Sequence, residues 1–237
     1  MAGDQPTVRG KAKWLTKQWA AAFPALSVWK SKRLARRVGP IVQAIQLESS
    51  HFDPQAYWPV VHVDVLLNRF VTEDGPDVFG GVLSDRIQTP GGELRLDVRW
   101  HDQEFPDAVE TVRQGVVLPL DAVPTLQDTL NAYRNALELD RHIHEYSALE
   151  DMVLLPALMG DDENVEKGLE LAREVSSSWG KNWWEDPVFE GVEHAGPGWL
   201  NSLARRADNR EELQRLVDEK IAHHKLDKVN YFEMPLK

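Results

Sequence analysis

The sequence predicts an α+β protein: an N-terminal helix, an antiparallel meander sheet of about four to five strands with one wet face, then a helical region. Three observations carry this reading. Residues 59–67 put Val61, Val63, Val65 and Leu67 on one side and His62 and Asp64 on the other. Residues 93–101, ELRLDVRWH, alternate again, with Leu94, Leu96, Val98 and Trp100 opposite Glu93, Arg95, Asp97, Arg99 and His101. Such two-residue periodicity marks strands with one buried face. From residue 121 onward the apolar spacing changes to threes and fours, the helical period.

Each element has its own signal. Trp14, Leu15, Trp19 and Ala22 share a face of a helix over 8–22, which Pro24 ends. Strands follow at 27–31, 33–38, 41–47 and 59–67, the third striped by Ile41, Ile45 and Leu47. Asp53-Pro54 makes 49–56 a hairpin-like loop, and Gly75-Pro76, Gly80-Gly81 and Pro90-Gly91-Gly92 mark an irregular excursion. One more strand is expected at 116–120. Asp121 is expected to cap a helix over 122–138, and Ser147 with Glu150 a helix over 148–158. Asp161 or Asp162 opens a helix over 163–177, and helices at 199–206 and 209–225 close the chain. Residues 1–120 and 121–237 then form a sheet part and a helical part of one continuous domain.

Hydrophobic residues make up 42% and charged residues 27% of the 237 positions, an ordinary globular balance. No apolar run approaches the roughly 18–20 residues that span a bilayer, so no membrane partner is expected. There is no cysteine, which removes disulfides, thiolate catalysis and cysteine-held metals. With no signal-like apolar block in MAGDQPTVRGKAKWL, a cytoplasmic location is the expectation.

Charge is divided. Residues 1–50 carry nine Lys or Arg against Asp4 and Glu48, or +7, whereas the other 187 carry 18 positive and 36 negative charges, or -18. The acidic bulk argues against nonspecific nucleic-acid binding; the basic segment could touch phosphates, but pairing with the acidic remainder inside the fold is the expectation. From Glu145 to Glu193 there are 13 acidic residues against three basic ones, which suits a basic partner.

Trp29, the run GPIVQAIQLESS (39–50) and the run VVHVDVLLN (60–68) resemble a bacterial group known only as domain of unknown function 4304. The resemblance covers residues 10–70 best and the helical remainder in outline. Glu48 stands where that group usually has Gln, and the C-terminal region here is longer. The resemblance implies a helix, a meander and then helices; no activity is attached to the group.

Two function classes follow. The first is a non-enzymatic protein that binds another protein, in one form an immunity or antitoxin-like protein whose acidic face covers a basic toxin. The segment WGKNWWEDPVFEGVEHAGPGW (179–199) supplies its candidate partner-binding residues, Trp183, Trp184, Glu185, Asp186 and Glu190, because Trp dominates interface hot spots, although fastening the loop to the domain accounts better for so many aromatics. The second is a metal-assisted hydrolase or nuclease on the polar sheet face, using His62 and Asp64 with Asp97 or His101. Opposite charges pairing across a solvated sheet face account for the same residues without a site, so no catalytic residue, metal or cofactor is expected. An acidic DNA mimic is a further alternative. His142 and His144 lack the second histidine of an H-E-x-x-H zinc motif, since Ala148 stands four after His144. His223 and His224 suit a helix C-terminus, and His51 and Asp53 a turn.

Overall fold

The computed structural model describes residues 7–67, 83–138, 145–179 and 197–237, except for the side chains of Asp85 and Pro197. Helix α1 (Val8–Ala22) starts where Thr7 Oγ1 accepts the Gly10 N–H at 3.1 Å and buries Leu15 and Trp19. Strands β1 (Ser27–Lys30), β2 (Arg33–Val38), β3 (Ile41–Ser49), β4 (Ala56–Val65) and β5 (Leu83–Arg86) then meander in chain order, each antiparallel to the last. The turn between β2 and β3 needs glycine: Gly39 has φ +53, and a Cβ there would sit 2.9 Å from Met234 Cβ.

The long strands form a spine whose edges are patched by short pieces. β6 (Gln88–Thr89) and β7 (Gly92–Glu93) make a separate small hairpin, and β8 (Leu96–Asp97) pairs with the start of β4. β9 (Asn230–Phe232) runs parallel to β2 beyond the end of β1, so the C-terminal tail closes the same edge.

Residues 93–101 are not one strand. Asp97 turns the chain by accepting the Arg99 N–H at 2.8 Å, and α2 (His101–Gly115) begins. Its acidic first turn, Asp102 and Glu104, suits the positive end of a helix. Residues 116–120 are not a strand either; the carbonyls of Leu118 and Pro119 bond side chains of β2 and β3 instead.

α3 (Leu126–Glu138) starts later than expected. Pro124 disfavours helical backbone in the residue before it, and Thr125 and Asp128 cap each other, with Asp128 N donating to Thr125 Oγ1 at 3.0 Å. Asp121 instead pairs with Arg113 at 2.9 Å. α4 (Glu145–Met159) begins before Ser147, which is buried inside it, and every residue from Tyr146 to Leu158 is buried. α5 (Asp162–Ser176) is capped by Asp161, and α6 (Pro197–Ala207) and α7 (Arg210–His224) follow as expected. No helix among the described residues is long and apolar enough to cross a membrane.

The sheet is covered on both faces. Leu34, Ile45, Leu47, Tyr57 and Val61 pack with α1 and α2, whereas Ala35, Val42 and Ala44 on the opposite face share a core with α3 to α7. The expected wet face survives most clearly at one end, where Arg33, Gln46, Trp58 and Arg86 are partly exposed.

α4 and α5 pack closely because Gly168 lets them. A Cβ at Gly168 would lie 2.8 Å from the Met152 carbonyl oxygen and 3.0 Å from Val153 Cγ2. Gly168→Ala is therefore expected to destabilise the fold by about 1–3 kcal/mol, despite the better helix propensity of alanine. A urea midpoint equal to or above that of the unsubstituted protein would contradict this packing.

Candidate functional site

His62 and Asp64 are not on a solvated face. In register, Ala44 faces His62 and Val42 faces Asp64, and α4 and α7 cover this stretch, leaving His62 4% and Asp64 7% exposed. His62 Nδ1 and Ser84 Oγ share a hydrogen bond of 2.7 Å. Asp64 feels Asp151 of α4 as a like charge and Lys220 of α7 as an opposite one.

Asp151 is the centre of a buried polar cluster that the alternation in β4 gave no sign of. Its Oδ2 accepts the Tyr133 hydroxyl of α3 at 2.8 Å. Asp151 Oδ1 and Asp64 Oδ2 are buried without a hydrogen-bond partner. Burial raises the Asp151 carboxyl to about 8 and holds that of Asp64 well above the usual range. The same burial lowers the Lys220 amine to about 8. Beside them Glu150 Oε2 pairs with Arg206 of α6 at 2.9 Å, and Glu150 Oε1 accepts the Trp199 indole N–H at 3.0 Å. The carboxyls of Asp64 on β4 and Asp151 on α4, the Tyr133 phenol of α3 and the Lys220 amine of α7 thus form one buried polar cluster, with Arg206 of α6 beside it.

Asp97 and His101 lie elsewhere. Asp97 forms an exposed pair with Arg99 that lowers its carboxyl. His101 is 1% exposed on the α1–α2 side, where its Nδ1 meets the Tyr57 hydroxyl at 2.9 Å and its ring packs between Trp14 and Phe105 at 4.7 and 4.6 Å. Burial lowers its pKa. The four residues considered for a metal-assisted site therefore do not converge. Among the described residues, no three His, Asp or Glu side chains are grouped to hold a metal ion.

Trp183, Trp184, Glu185, Asp186 and Glu190 lie outside the described residues, as do His142 and His144. At their margins, the Trp179 and Trp199 rings meet at 5.3 Å, and the Trp179 indole N–H donates to Glu145 at 3.0 Å. His224 is structural, its carbonyl accepting the Trp29 indole N–H at 3.1 Å, and burial lowers its imidazole to about 4. Asp53 Oδ1 accepts the Gln55 N–H at 3.0 Å, the turn role expected of it.

Two of the grooves among the described residues carry charge and apolar surface together. One, of about 720 Å³, runs between α3 and α5 over α4; Leu137, Met152, Leu171 and Val175 line it, and Glu138, Glu170 and Glu174 contribute carboxylates. The other, of about 730 Å³, occupies the uncovered end of the sheet. Neither includes His62, Asp64 or Asp151. The sequence held the stripes of α3 and α5, but a groove exists only once two helices are paired. Comparison with protein-family models, curated proteins and solved structures returned no match.

Proposed function

We propose that the chain works by binding another protein, and that the α3–α5 groove receives a basic amphipathic helix of that partner. The observation that carries this reading is the combination of lining and charge. Apolar side chains from three helices line the groove, and Glu163, Glu166, Glu170 and Glu174 stand exposed at helical spacing along α5. Helix-in-groove recognition uses apolar anchors at such spacing, and a complementary rim of charge speeds encounter and fixes register. The two cations of the groove have internal partners: Lys167 pairs with Glu163 at 2.6 Å, and Arg134 donates to Asn131 at 3.1 Å. An immunity or antitoxin-like role, with this face covering a basic toxin, is one form of the proposal.

The double substitution Glu170→Lys/Glu174→Lys reverses the rim without touching a buried group. It is expected to weaken binding of a cationic amphipathic partner by about tenfold or more, roughly 1.4 kcal/mol, while leaving thermal stability nearly unchanged. Isothermal titration with a synthetic Leu/Lys helical peptide reads this, and undiminished affinity would count against the groove.

A further inference from the structure

We propose that the uncovered end of the sheet is a second binding surface, and that it takes a single-stranded nucleic acid. The cross-strand register builds it. Arg33, Gln46, Val60 and Arg86 form one row across β2, β3, β4 and β5, and Glu48 with Trp58 forms part of the next. These residues continue the face that carries Ala44 and His62, but the helices stop short of them.

Charge separates this surface from the rest of the molecule. Lys30, Lys32, Arg33 and Arg86 line the groove with Glu48, and Glu93 pairs with Arg86 from beside it, which leaves four cations against two carboxylates in a chain of net charge -11. The Lys32 backbone at this edge is anchored on α1, where Thr16 Oγ1 accepts its N–H at 3.0 Å. The Lys32 amine is partly desolvated and repelled by Arg33, which lowers its pKa, and the carboxylate of Glu48 offsets only part of this.

Aromatic faces select among anions. Phe52, at the tip of the loop between β3 and β4, is 100% exposed. That tip is held in place, since Ser50 Oγ accepts the N–H groups of Phe52 and Asp53 at 3.2 and 3.0 Å. On the groove side the Arg86 guanidinium, held by Glu48 and Glu93, lies 4.8 Å from the Trp58 ring centroid. A backbone-tracking cationic groove with aromatic stacking partners is how proteins hold single strands without sequence preference. An acidic peptide would use the charges and leave the ring faces idle.

The test is fluorescence anisotropy with labelled oligothymidylate and oligouridylate, at low salt and at about 0.2 M salt. Both strands are expected to bind at low salt, because stacking and backbone charge act on either. Phe52→Ala and Lys30→Glu change exposed side chains and should leave the far-UV circular dichroism intact. Each is expected to weaken binding about tenfold, within the range that stacking on one base supplies, and Lys30→Glu should also flatten the salt dependence. Absence of binding at low salt would overturn the proposal. So would binding that Phe52→Ala leaves unchanged, or equal competition by an oligoglutamate peptide.

Discussion

Arg36→Met is expected to cost about 2–4 kcal/mol, a large share of the stability of an ordinary domain. Arg36 is 1% exposed, on a strand between two covered faces. Its Nε and Nη2 donate to Gln43 Oε1 at 3.0 and 2.7 Å, and Nη2 also donates to the carbonyls of Pro119, at 2.8 Å, and Ala122. Gln43 Nε2 adds a bond to the Pro119 carbonyl at 3.1 Å. These side chains therefore satisfy the 116–125 segment in place of a strand ladder. Methionine preserves volume but leaves the buried Gln43 Oε1 without its donor, the expensive half of losing a hydrogen bond, and frees the Ala122 carbonyl. Lysine does not rescue, because a single ammonium cannot reproduce the planar fork. Urea denaturation measures the loss, and a cost under about 1 kcal/mol would show that the segment is held by other means.

Asp151→Asn is expected to stabilise the protein at pH 8 and to lose that advantage at pH 4. The Asp151 pKa is raised in the fold, from 3.8 to about 8, so the folded state keeps a proton that the unfolded chain releases between those values. Stability therefore falls as pH rises through that window, by up to about 1.4 kcal/mol per unit, and the elevated carboxyl of Asp64 acts in the same direction. Lys220, lowered from 10.5 to about 8, works oppositely: between those values the unfolded chain holds the extra proton, and stability rises with pH. Facing this cluster are Tyr133, Glu150, Arg206 and Lys220, one from each of α3, α4, α6 and α7. Asparagine keeps an acceptor for the Tyr133 hydroxyl but cannot ionise. Urea midpoints at pH 4, 6 and 8 check this, and a variant less stable than the unsubstituted protein at pH 8 would contradict it.

The meander and its turns were readable because each rests on neighbours close in sequence. α1 shows its stripe and its proline stop, and the 41–49 and 56–65 hairpin shows alternation around Asp53-Pro54. The reading of 93–101 failed because Leu94, Leu96, Val98 and Trp100 mimic a strand, while the competing signal begins later. Asp102 and Glu104, followed by buried Ala108, Val109 and Val112, are a helical start and stripe that overrode the alternation. His62 and Asp64 misled for a different reason. Polar residues at alternate positions mean water only when nothing covers them, and here the cover comes from helices more than 80 residues further along the chain. One trace of it was present: residues 146–158 are apolar nearly all round, the mark of a central helix, and Asp151 within them required a buried partner. The pairing of β9 with β2 left no trace, since three residues carry no period.

The most direct test of the partner-binding reading uses the four methionines of the chain. Met152 lines the α3–α5 groove, whereas Met159 and Met234 line a separate cavity of about 670 Å³ beside the C-terminal tail. In a methionine-methyl NMR titration with a cationic amphipathic helix, the Met152 resonance should shift and saturate while that of Met234 stays in place. A Met152 resonance that does not move, or a response confined to Met234, would contradict the proposed groove.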